Sequence, residues 1–145
     1  MTQITYDLPP FLFGTVDIAT YRKWLTRKTQ AHLKRDRARG NTAETYSSYK
    51  QAIQRAVMAS GAKDAYTNEV LDWTLIGKYN NEESSKYRRD YRRRFALLPT
   101  IDHVGDGSGE PNFKICGWRT NDVKNDLTLE ELLEFAHLLI AENQD

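Results

Sequence analysis

Two short apolar runs, Phe95 to Val104 and "FKIC" at 113–116, are separated by "GDGSGEPN". Three glycines and a proline in eight residues cannot continue a helix or a central strand, so this segment must be a loop. The run before it is interrupted by Pro99, so a strand is expected to enter at Thr100. The run after it alternates apolar and polar residues, which is strand periodicity. Two antiparallel strands joined by that loop is the pairing that follows. This hairpin constrains the chain more than any other feature, because it fixes where Asp102, His103 and Asn112 lie relative to one another.

The flanks read as helices. Pro9 and Pro10 keep residues 1–17 irregular or extended. From 18 to 38, Tyr21, Trp24, Leu25, Ala31 and His32 recur near helical spacing, and Gly40 with Asn41 marks the end. A second helix is predicted from about Ala43 to Ser60, with Tyr46, Tyr49, Ile53, Ala56 and Val57 as its stripe and Gly61 as its stop. "DAYTNEVLDW" predicts a tight turn at Thr67-Asn68-Glu69 between short extended pieces. "ESSKYRRDYRRR" predicts an exposed basic helix, and "NDVKNDLT" a return segment. Thr128 with Glu131 is a capping-box pattern. Leu129, Leu132, Leu133, Ala136, Leu139 and Ile140 follow as one stripe, predicting a packed C-terminal helix.

Charge is unevenly distributed although the net is only +1. Arg22 to Arg39 holds eight Lys/Arg and one acid, Asp36; Lys86 to Arg94 holds six and one, Asp90. After Asp126 there are acids and no Lys or Arg. Basic runs are ordinarily solvated helix faces, but two of them interleaved with aromatics favour a polyanion partner. The single cysteine, Cys116, excludes an internal disulfide and a multi-cysteine zinc site, and reads as a small buried apolar residue. No apolar run is long enough to span a bilayer, and the N-terminus lacks a basic leader, so no membrane partner and a cytoplasmic setting are expected.

"TIDHV" and "NFKICGWRTNDVK" together resemble the HNH nucleases, built on the ββα-metal motif. That family places an Asp-His on its first strand, an Asn opening the second, and a His or Asn after it, commonly followed by x-x-Lys. Here these would be Asp102-His103, Asn112, Asn121 and Lys124. "DAYTNEVLDW" is similar to the family's Tyr-Thr-Gly lead-in, with Asn68 where glycine is common; Asn tolerates left-handed backbone angles. The resemblance covers about residues 61–145. It departs where many members carry two Cys-x-x-Cys pairs. The later pair would fall at Gly117 and Thr120, so no structural zinc is expected. Its role would pass to packing by Trp73, Phe95, Phe113, Trp118 and the C-terminal helix.

The resemblance implies phosphodiester hydrolysis leaving 5′-phosphate and 3′-hydroxyl ends. The chemistry needs an activated water, charge neutralisation and help for the departing oxygen. Asp102 and Asn121 would hold a divalent metal, Mg²⁺ or alternatively Mn²⁺. His103 would be the general base, since imidazole titrates near working pH. Asn112 would fix the loop and orient His103. Arg119 and Lys124 would bind phosphate, with Arg89, Arg92, Arg93, Lys34 and Arg35 gripping duplex DNA. Blander roles stand beside these: His103 as a polar strand end, Asn112 as a loop-closing residue, Asn121 as a helix N-cap, Arg119 and Lys124 as surface charges, and His32 and His137 as structural. Asp106 and Glu110 lie in the loop, where acids usually face solvent.

The sequence therefore predicts an α+β protein: a helical basic N-terminal region at 1–60 and an HNH-like ββα-metal nuclease domain at 61–145. The expected function is metal-dependent endonucleolytic cleavage of double-stranded DNA. The rivals are a non-catalytic nucleic-acid-binding module on the same fold and an RNase toxin. A homodimer is left open.

Overall fold

The computed structural model describes residues 5–78, 81–105 and 110–144. It is an α+β arrangement. The described elements are α1 (Ile18–Ala38), α2 (Tyr46–Ser60), α3 (Asn81–Arg94), β1 (Pro99–His103), β2 (Phe113–Gly117), α4 (Trp118–Lys124) and α5 (Leu129–Asn143), with short 3₁₀ turns at Pro10–Leu12 and Trp73–Gly77.

Asp17 starts α1 by accepting the Thr20 N–H at 2.9 Å. The helix buries Tyr21, Trp24, Leu25, Thr29, His32, Leu33 and Asp36. Ala31, expected on that stripe, is exposed instead. A Thr45/Ser48 capping box starts α2 at Tyr46, three residues later than expected, because Ser48 supplies the reciprocal bond. Gly61, at φ 59°, ends it in the left-handed conformation that glycine adopts without strain. The following turn closes through a Lys63–Val70 antiparallel bridge, and Asn68 takes φ 63° as its side chain permits.

Strands β1 and β2 pair antiparallel, with Asp102 opposite Lys114 and His103 opposite Phe113. The core runs continuously from α1 and α2 into this hairpin. Trp24 meets Trp73 edge-on at 5.5 Å, and Tyr49 and His32 meet Phe113 at 5.6 and 5.2 Å. The boundary expected after residue 60 thus coincides with a helix end, while apolar packing crosses it. The α3 run breaks its helical geometry at Arg88 (φ 26°, ψ −92°). Beyond that break Tyr91 and Phe95 stack at 4.2 Å and are buried.

Two expectations are corrected. "NDVK" is not a return segment: Trp118–Lys124 is helical, with Gly117 as its N-cap, so Asn121 lies within α4 and is not a cap. Gly, Asn and Asp read locally as loop residues, but tertiary hydrogen bonds to the first turn of α4 override that preference. The C-terminal helix forms and carries the expected Thr128/Glu131 capping box, but among the described residues nothing buries it. None of its residues is buried, and Phe135, Leu138 and Ile140 are at least half exposed. A stripe at helical spacing specifies an apolar face and not what covers it. No helix among the described residues is long and apolar enough to cross a membrane.

Candidate functional site

Successive side chains on a strand point to opposite faces, so Asp102 and His103 leave the end of β1 in different directions. Each is met by a different part of the chain. Asp102 is 5% exposed. Its Oδ2 accepts the Tyr66 hydroxyl at 2.5 Å and lies 3.1 Å from Lys124 Nζ. Tyr66 belongs to the 61–70 turn and Lys124 to the end of α4. The Lys124 ammonium sits 5.7 Å from the centre of the Tyr66 ring, a cation–π contact that helps place it. Burial, then the bond to Asp102, raises the Tyr66 pKa, so the phenol keeps its proton.

His103 turns toward α1 and α2. Its Nδ1 lies 3.1 Å from Asp36 Oδ2. Asp36 is fully buried, and the Tyr49 hydroxyl donates to the same oxygen. The imidazole tilts against Phe113 at 4.8 Å. His32, one turn before Asp36 on α1, packs beside it. Burial, then the neighbouring positive charges, lowers the His32 pKa to about 3, so this histidine is neutral and structural. His137 is exposed on α5.

Asp102, His103, Asn121 and Lys124 line one open groove of about 1230 Å³. Arg35 and Arg39 from the end of α1, and Lys114 from β2, line it as well, as do the acids Asp122, Asp126 and Glu130. Asn121 and Lys124 are three residues apart and share one face of α4. Asn112 is exposed at the hairpin end, where its carbonyl accepts the Val104 N–H at 2.8 Å. That bond closes the loop. The group held against His103 Nδ1 is Asp36.

The remaining expected phosphate ligands lie elsewhere. Arg119 pairs with Glu69 and, with Arg92, Arg93 and Trp118, lines a smaller pocket of about 340 Å³. Arg92 reaches Asp122 at 3.9 Å. Arg89 is exposed on α3, and Lys34 is exposed on α1 without lining the groove. Glu110 is exposed, and Asp106 lies outside the described residues.

A carboxylate unremarked in the sequence organises α4. Asp64, 2% exposed, accepts Gly117 N–H (2.9 Å) and the Thr120 hydroxyl (2.7 Å) on one oxygen. Its other oxygen accepts Tyr66 N–H (2.8 Å) and Thr67 N–H (3.0 Å). Gly117 and Thr120 are the two positions where the later cysteine pair would fall, so the cross-link between turn and helix is a buried anion with four donors. Burial raises its pKa, but these four bonds outweigh it and leave the pKa lowered. Trp73, Phe95 and Phe113 pack as expected, Trp118 is half-buried, and α5 contributes no buried residue. Cys116 is fully buried, which pushes its thiol up to about 12 and makes it inert.

Asp102 and Asn121 are the groove residues that could contribute oxygens to a small divalent cation. Both line the groove, and a cation there would compete with the Lys124 ammonium and the Tyr66 hydroxyl for Asp102 Oδ2. Mg²⁺ is typically held by one or two carboxylates, with phosphate and water completing its shell. No group of three or more His, Cys, Asp or Glu able to hold a metal occurs among the described residues, and a cation shared with substrate phosphate does not require one.

The sequence could have pointed to Asp36. It is the one acid in the Arg22–Arg39 run and stands four residues after His32, on the buried face. Comparison with protein-family models, with curated proteins and with solved structures finds no match to this chain.

Proposed function

We propose that this chain is a metal-dependent endonuclease of the HNH, ββα-metal type, acting on double-stranded DNA. The observation that carries the reading is that His103, Asp102, Asn121 and Lys124 all line one groove, on a hairpin followed directly by a helix. Arg35, Arg39 and Lys114 line the same groove and supply the cationic track a phosphate backbone needs.

In this reading His103 Nε2 takes a proton from the attacking water while Nδ1 stays against Asp36. Asp102 and Asn121 would hold the divalent metal. The chemistry such a metal would supply is charge neutralisation on the phosphate and help for the departing 3′-oxygen. Lys124, already poised at Asp102, reaches the scissile or flanking phosphate. Arg35 and Arg39 bind the backbone beside it, which gives affinity without base preference. Tyr66 keeps Asp102 in place and, as a neutral phenol, does not compete for the proton.

The test is cleavage of supercoiled plasmid and of a matched RNA, each with Mg²⁺, Mn²⁺ or chelator. Metal-dependent nicking or linearisation of DNA is expected. Cleavage of the RNA alone would replace this reading with the ribonuclease. Salt-sensitive DNA binding without cleavage in any metal would replace it with a binding module.

A further inference from the structure

We infer that Asp36 is the positioning residue of His103, so that α1, which lies outside the hairpin-and-helix unit, completes the reaction centre. The inference rests on the reading of His103 as general base. Three observations carry it.

First, the contact is directed. Asp36 Oδ2 lies 3.1 Å from Nδ1 of His103, the nitrogen that does not need to face the substrate. A carboxylate there selects the tautomer with the proton on Nδ1 and leaves the Nε2 lone pair free to accept one.

Second, the carboxylate is buried and its charge is directed at His103. Asp36 is fully buried, and burying an anion is costly unless it is well paired. The Tyr49 hydroxyl and His103 Nδ1 converge on Oδ2, and Oδ1 meets no hydrogen-bond donor among the described residues.

Third, the surroundings fix the geometry. Asp36 sits in the last turn of α1. Tyr49 comes from α2, and Phe113 lies against the imidazole from β2. The neutral His32 fills the space one turn back on α1. The ring is held by packing and oriented by one charge.

The arrangement is that of a base whose second nitrogen is held by a buried acid, which keeps the tautomer correct and stabilises the imidazolium as it forms. Asp36 touches neither substrate nor metal, so its effect falls on turnover and not on DNA affinity.

The experiment has two arms. ¹⁵N-resolved NMR of the histidine side chains at pH 8, without DNA or metal, reads the His103 tautomer in the native protein. Nδ1–H is expected. A predominantly Nε2–H ring would overturn the inference without reference to activity or to any variant. Steady-state cleavage then compares native protein, Asp36→Asn and Tyr49→Phe, each checked by thermal melting. Asp36→Asn is expected to lose about 100-fold in kcat, the scale of removing a partner that orients a functional side chain, with KM within about threefold. Tyr49→Phe, which leaves Asp36 in place, is expected to keep kcat within about tenfold of native. Folded Asp36→Asn with kcat within about threefold of native would overturn the inference and leave the nuclease standing. Absence of cleavage by the native protein would overturn the nuclease reading, and this one with it.

Discussion

Replacing Asp64 by Asn tests whether a buried anion does the work of a metal cross-link between the turn and α4. The carboxylate uses both oxygens, two donors on each. A carboxamide has one oxygen, so two donors must face an NH₂ group. The Thr120 hydroxyl can rotate and accept from that group. The Gly117, Tyr66 and Thr67 N–H groups are fixed by the backbone and cannot, so the least costly arrangement turns the NH₂ toward Gly117 and Thr120. A hydrogen bond to a charged group contributes about 1.5–3 kcal/mol, and an orphaned buried donor costs about 1–3 kcal/mol. Taking one fixed donor as orphaned and the charge as lost, Asp64→Asn should destabilise by roughly 2–4 kcal/mol. For a chain of this size that is a fall in Tm on the order of 10 °C. Urea unfolding at neutral pH measures it. The pH dependence gives a second reading. The folded pKa is lowered from 3.8, so the stabilisation is complete above the unfolded carboxylate value and is lost as pH falls through the lower folded one. The gap between native and Asp64→Asn should therefore be constant above about pH 5 and shrink on acidification below about pH 4. A gap under about 1 kcal/mol at pH 7, or one that widens with acid, would refute the reasoning.

Other perturbations separate fold from grip. Arg35→Ala with Arg39→Ala should raise KM and flatten the dependence of log K on log salt by up to about 2 units, leaving Tm nearly unchanged; salt-titrated binding to duplex DNA measures this. Gly117→Ala places a Cβ 2.8 Å from the Ala96 carbonyl, so it should cost about 1–3 kcal/mol in chemical denaturation by forcing two backbone segments apart. Lys124→Met leaves the buried Asp102 charge without its ammonium partner, and should lower both Tm and cleavage rate, with Mg²⁺ restoring part of the Tm loss in a melting assay.

Much of this fold is written in local chemistry. The limits of α1, the Gly61 stop, the left-handed Asn68 and the Thr128 cap all follow from residues within one turn of where they act. The hairpin follows from one glycine-rich loop between two apolar runs. What local chemistry could not supply is the partner of each element. "NDVK" is helical because Asp64, over fifty residues earlier, holds the first turn of α4. The α5 stripe was legible as a stripe, yet nothing among the described residues buries it. The same division runs through the site. Asp102, His103, Asn121 and Lys124 are close in sequence and meet in one groove. Asp36, Tyr49 and Tyr66 arrive from 36 to 67 residues away, and no spacing rule connects them. Arg119 and Arg92 read as phosphate ligands by charge alone, whereas the fold gives each an acidic partner.

The central claim is that His103 is the base of a metal-dependent nuclease. The most direct measurement is the single-turnover rate of plasmid nicking in Mg²⁺ by native protein and by His103→Ala, prepared identically. General-base catalysis contributes about 10²–10⁴-fold, so the variant should lose at least about 100-fold while binding the same DNA with unchanged affinity. Equal rates for the two proteins would contradict the account, because cleavage would then not depend on the residue assigned as its base.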